Sequence, residues 1–279
     1  MKKMKRVFCL LSVVLFLSPV PLWAKPRIVH VLVALCDNEN QGIVPVPAAL
    51  GKGDDPAGNL YWGALYGVST FLKRQKEWQF EKKIINPAPA VLERLIFKLK
   101  SGDIYLIADA YDGRYIKAAT EDLFSFTVGQ KKVPVELNDQ KLSGGSDADL
   151  LVYMGHNGLM DFSVSPYPLA VSDPEKLTGR VQGYMPVLKD GKKREVAVFA
   201  CHSEKYFKKQ LLLAGASPLI LTRDFMAPEA YILDALVSGW QRNEPDHAIR
   251  ERVAAAYHKY QKCGLKAARR MFGSESSKL

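Results

Sequence analysis

Five short apolar runs, rich in β-branched residues, limit what this chain can fold into. They are residues 28–35 (IVHVLVAL), 104–108 (IYLIA), 149–154 (DLLVYM), 195–200 (EVAVFA) and 218–222 (PLILT). A strand that is apolar at nearly every position is buried on both faces, as strands of parallel sheets are. Residues 78–85 predict a sixth strand. Helical spacing fills the intervals. Residues 60–75 place Leu65, Val68 and Leu72 on one face, and Pro87 and Pro89 open a helix carrying Val91, Leu92, Leu95, Ile96 and Leu99. Further helices are expected over 114–126, 204–213, 227–240 and 245–260, and a surface ribbon over 131–142. The pattern predicts an α/β fold: a mainly parallel sheet of about six strands with helices on both faces.

The amino terminus is organised differently. A basic start (MKKMKR) precedes an apolar run from Val7 to Leu17, then Ser18, Pro19, Pro21 and the small residue Ala24. That order is a secretory signal peptide, too short for the roughly 20 apolar residues of a membrane span. Cleavage after Ala24 is expected, with a retained anchor as the alternative. The expected organisation is a signal peptide over 1–24 and one α/β domain over 25–279, periplasmic or secreted, with no stable membrane span after cleavage.

Loss of Lys2, Lys3, Lys5 and Arg6 with the leader lowers the formal net charge from +10 to +6. The remaining bases are scattered, without interleaved aromatics, so nucleic acid is not an expected partner. Cys36, Cys201 and Cys263 remain in the mature chain. Three cysteines are too few for a disulfide framework, and an odd number leaves at least one thiol without an intramolecular partner. A Cys36–Cys263 disulfide that leaves Cys201 free is one open arrangement. No CxxC pair supports a zinc site, and the carboxylates Asp54, Asp55, Asp109 and Asp112 read as solvated loop residues. No metal or other cofactor is expected. Nucleotide-binding glycine motifs and a Gly-x-Ser-x-Gly elbow are absent from the sequence.

Ligands of parallel sheets bind outside the carboxyl ends of the strands. Cys36, Asp109, His156, Cys201 and Thr222 each end a predicted strand and should line one rim. His156 lies in a glycine-flanked turn (GHNG), and Cys201 lies where a strand gives way to a helix (ACHS). Amides and the dipole at a helix start favour a thiolate. A neighbouring imidazole takes the thiol proton, and amides around Gly158 and Cys201 hold the oxyanion of an acyl-transfer intermediate.

These two segments resemble the caspase–legumain–gingipain group of cysteine peptidases. There, one apolar strand runs into His-Gly and a later one into Ala-Cys or Gln-Cys. Ala200-Cys201 matches the second element, and Ala200-Cys201-His202-Ser203 is similar to the Ala-Cys-x-Ser of legumain. His156 matches the first, with Asn157 standing between it and Gly158; Asn157 is counted with Gly158 and Asn38 among the oxyanion or orienting candidates. The resemblance covers residues 28–240 in strand order, with residue identity confined to the two motifs. It implies a caspase-like fold, endopeptidase activity on peptide or protein substrates, and no obligatory cofactor. Asn38, after the first strand, is placed to orient His156, or else to form a local turn. Thr222, Asp224 and Glu229 fall where the group builds its specificity pocket; an acid there selects a basic side chain, whereas Arg223 would select an acidic one. Two other functions fit the same sequence: a non-catalytic caspase-like relative that binds a peptide or protein partner, and an unrelated periplasmic α/β hydrolase or binding protein.

Overall fold

The computed structural model of the chain describes residues 25–138, 140–162 and 191–273. The expected signal peptide, and most of the proline-rich stretch after residue 162, lie outside the described residues. The elements are β1 (Arg27–Ala34), α1 (Val68–Arg74), β2 (Trp78–Ala88), β3 (Val91–Leu99), β4 (Ile104–Tyr111), α2 (Ile116–Thr127), β5 (Lys132–Leu137) and β6 (Gln140–Gly145). There follow β7 (Leu150–Gly155), β8 (Glu195–Phe199), α3 (Ser203–Leu213), β9 (Ser217–Thr222), α4 (Ala230–Trp240), α5 (Asp246–Gln261), α6 (Leu265–Met271) and β10 (Phe272–Gly273).

Eight strands form one mixed sheet in the order β10-β9-β8-β7-β1-β4-β3-β2. The five central strands, β9, β8, β7, β1 and β4, run parallel. They contain the five apolar runs of the sequence, and their carboxyl ends share one edge. The sheet is apolar on both sides. Val29, Val31 and Val33 face a core closed by α1, α4, α5 and α6. Ile28 and Leu32 face a second core closed by α2, α3 and the β5–β6 hairpin. The fold is therefore α/β, with a mainly parallel sheet covered on both faces.

Four expectations need correction. The sheet has eight strands rather than about six. Residues 91–99 form strand β3, antiparallel to both neighbours, and not a helix. Leu95, Phe97 and Leu99 fill one core and Val91 and Ile96 the other, so the apolar doublets that imitate helical spacing serve two faces. Asn86, with φ of +48°, and Pro87 lie near the end of β2, where its pairing with β3 shifts, and Pro89 lies in the turn that follows. The helix expected over 60–75 is confined to Val68–Arg74, because the Asn59 side chain ties residues 59–61 to Cys36: it accepts from the Cys36 N–H (3.1 Å) and the Tyr61 N–H (3.1 Å), and donates to the Cys36 carbonyl (2.8 Å). The ribbon at 131–142 is not merely superficial, since Val133, Val135 and Leu142 are buried against the sheet.

Strand β4 also runs on to Tyr111, so Asp109 is buried within the sheet and is not on the rim. Arg94 of β3 grips it bidentately at 2.6 and 2.7 Å. The Gly145 N–H donates to His30 Nδ1 at 2.7 Å, so His30 carries its proton on Nε2 and donates it to Asp109 at 3.1 Å. Burial alone would push the Asp109 carboxyl up; the hydrogen bonds from Arg94 and His30 outweigh it and hold it below the usual carboxylate range. The network joins β1, β3, β4 and the hairpin beneath the site edge.

Candidate functional site

The parallel register between β7 and β8 ends with Met154 opposite Phe199. His156 and Cys201 each stand two residues beyond that pair, so the two candidate residues leave adjacent strands at the same level. Gly155 makes the exit of β7: its φ is +139°, and a Cβ there would meet the Ala34 carbonyl oxygen at 2.5 Å. The Tyr153 hydroxyl donates to the His156 carbonyl at 2.9 Å and fixes the turn from within. Asn157 is fully buried; its amide donates to the Cys201 carbonyl at 2.6 Å, and its oxygen accepts from the Leu159 N–H at 3.1 Å. The extra residue between His156 and Gly158 is thus the tie between the two turns.

The imidazole is oriented by a residue that the sequence did not single out. Asp161 Oδ2 lies 2.7 Å from His156 Nε2 and also accepts from the Gly42 N–H at 3.0 Å. A proton on Nε2 donated to this carboxylate leaves Nδ1 as the basic nitrogen, and Nδ1 has no partner among the described residues. Asn38 does not reach the ring; its amide group exchanges hydrogen bonds with the backbone of Val46 at 2.8 and 3.0 Å.

Cys201 is followed by a sharp corner. His202 adopts left-handed backbone (φ +52°), and α3 begins at Ser203. Its ring meets the Arg223 carbonyl at 3.1 Å and the Phe225 ring edge-on at 4.6 Å. Thr222 is fully buried beneath this corner, with its hydroxyl bonded to the Ala200 carbonyl and to Ser203 Oγ. It shapes the turn from below rather than lining an open pocket. Asp224 is exposed and caps the Phe225 N–H at 2.8 Å. Glu229 is half-buried and accepts from the Gln261 amide at 2.9 Å; burial pushes its carboxyl up.

The Cys201 sulfur rests on Met226. It accepts from the Met226 N–H at 3.4 Å and faces the Met226 carbonyl at 3.6 Å. Among the described residues no hydrogen bond joins it to His156. Burial raises the thiol above its ordinary pKa, amides of Met226 and of Cys201 itself offset part of that, and the Asp224 charge adds to the rise. The expected lowering by the helix start is outweighed, because a half-buried sulfur loses more hydration than two amides return. All three thiols are free. Cys36 is fully buried and pushed up to about 11 by burial, against the opposing hydrogen bond of the Tyr61 hydroxyl; Cys263 is exposed.

Neither the buried Gly158 nor Cys201 gives its N–H to an acceptor on another described residue. For the buried Gly158 this is unusual, since buried N–H groups are rarely unpaired; Cys201 is half-buried and its amide lies against its own sulfur. A thiol, an oriented imidazole and backbone amides in the same turns are parts that nucleophilic acyl transfer uses. Among the described residues no three His, Cys, Asp or Glu side chains are grouped to hold a metal, and no helix is long and apolar enough to cross a membrane. Comparison with protein-family models, with curated proteins and with solved structures finds no match to the chain.

Proposed function

We propose that this chain is an exported cysteine endopeptidase with a caspase-like arrangement, using Cys201 as nucleophile and His156 as base. One observation carries the reading: the two turns that hold these residues leave adjacent parallel strands in register and are fastened together by Asn157, with Asp161 orienting the imidazole. The order of the motifs along the chain, His then Cys, agrees with the resemblance. In this reading the thiol turns from Met226 toward His156, as catalytic contacts that are loose at rest tighten on substrate. His156 Nδ1 takes the thiol proton, and the sulfur attacks the substrate carbonyl. The N–H groups of Gly158 and Cys201 stabilise the oxyanion. The imidazolium returns the proton to the leaving amine, and water then hydrolyses the thioester. Asp161 keeps the ring in the required tautomer throughout.

A second reading has its own support. The raised thiol and the sulfur resting on Met226 suit a non-catalytic relative that binds a peptide. Turnover separates the two. Purified full-length protein should hydrolyse casein, Cys201→Ala should abolish hydrolysis, and His156→Ala should do nearly the same. Hydrolysis that survives Cys201→Ala, or none by wild-type protein that is covalently labelled at Cys201 by a peptidyl acyloxymethyl ketone, rejects the peptidase.

A further inference from the structure

Most of the large apolar side chains left in water lie on the sheet edge that carries the proposed site. Among the described residues, seven large hydrophobics are exposed, and two of them, Phe80 and Ile85, lie on the edge strand β2. The other five stand on loops or turns past the carboxyl ends of the parallel strands: Val44 and Leu65 after β1, Tyr115 after β4, Met160 after β7 and Phe225 after β9. Three are close in sequence to a group that touches the dyad. Phe225 (66% exposed) precedes Met226, whose backbone holds the Cys201 sulfur; Met160 (38%) precedes Asp161; and Val44 (88%) is two residues from Gly42, whose N–H is on Asp161.

Single exposed apolar residues are ordinary, but a set gathered on one functional edge marks a binding surface. The Phe225 ring is already held edge-on by His202, so little of its freedom remains to be lost on binding. We infer that the rim selects extended peptides with bulky apolar side chains flanking the bond presented to Cys201, and that Phe225 and Met160 form the contacts on either side of it. The inference rests on the reading of His156 and Cys201 as the site.

The test uses the full chain carrying Cys201→Ala, so that binding is read without turnover. Fluorescence anisotropy is measured with three labelled decapeptides: one with Leu and Phe at the central positions, one with Ser there, and one with Arg. The Leu/Phe peptide should bind at least about tenfold tighter than the others, the discrimination an apolar subsite gives for a large aliphatic group. Adding Phe225→Ser should remove most of that difference, whereas adding Phe80→Ser should not. Since both side chains are exposed, thermal melts should confirm unchanged folding. Equal binding of all three peptides, or a Leu/Phe preference indifferent to Phe225→Ser, overturns the inference. Wild-type turnover keeps the two proposals apart. Cleavage only beside polar or charged residues ends this inference and leaves the peptidase. Apolar peptides bound through Phe225 but never cleaved end the peptidase and leave this inference.

Discussion

The side-chain amide of Asn157 donates to the Cys201 carbonyl across 2.6 Å, so the residue that interrupts His-Gly fastens the imidazole's turn to the thiol's turn. Truncation to Ala leaves that carbonyl and the Leu159 N–H without their buried partner. Asn157→Ala should therefore lower stability by about 1–3 kcal/mol in urea unfolding. It should also reduce casein hydrolysis beyond what the lost stability explains, measured well below the unfolding midpoint. Full activity in the variant would show that the tie is not needed to align the turns.

In the proposed reaction Asp161 acts through His156, whose ring it contacts at 2.7 Å. Asp161→Asn keeps the shape but no longer favours the proton on Nε2, so turnover should fall by about a hundredfold, the low end of a general-base contribution. The pH–rate profile should change with it. Gly42→Ala offers an independent check, since its Cβ would press on the Asp161 carboxylate. It should move the same profile in the same direction.

The three thiols should differ in reactivity. With iodoacetamide at pH 8, exposed Cys263 should react first, half-buried Cys201 next and buried Cys36 last, read by mass spectrometry of digested protein. Asp224 raises the Cys201 thiol, so Asp224→Asn removes a charge that disfavours the thiolate. The thiol pKa should then fall, though burial keeps it above the ordinary value, and alkylation of Cys201 should accelerate while Cys263 is unchanged.

Asp109→Asn should be severely destabilising, by about 3–5 kcal/mol, because it leaves Arg94 charged and unpaired in the interior. The wild-type pH dependence follows from the lowered carboxyl. Its folded pKa lies below the unfolded value of about 3.9, so its contribution is complete above that pH and is lost as pH falls through the folded value. Urea midpoints should lose the Asp109 contribution only below about pH 4 in the wild type, and the corresponding decline should be smaller in the variant.

What the sequence disclosed followed from burial. The central strands were legible because residues such as Val29, Val31, Leu32 and Val33 meet a core on either face, and short apolar runs without polar interruption belong to strands covered on both sides. Strand β3 was not, because Arg94 and Lys98 break its run and its apolar doublets copy a helical period. His156 and Cys201 could be found because each ends such a run. Asp161 and Met226 could not. Asp161 is a lone carboxylate in an irregular stretch, and Met226 acts through its backbone, which has no sequence signature. Thr222 was correctly placed at a strand end, but no pattern tells that its hydroxyl turns inward to Ser203 and Ala200.

The register between β7 and β8 ties activity to the order in which the chain folds. His156 and Cys201 follow different strands whose pairing is non-local, so segments distant in the sequence must meet before the two strands pair. Until β8 has docked beside β7, the Cys201 carbonyl is not presented to Asn157, and the turns of the proposed nucleophile and base are not fastened together. A nascent or refolding chain is then chemically inert in the proposed reaction whatever local helices it has formed. Recovery of hydrolysis should coincide with the last phase of tertiary fluorescence and lag behind the helical signal, so that the dyad reports completion of the sheet.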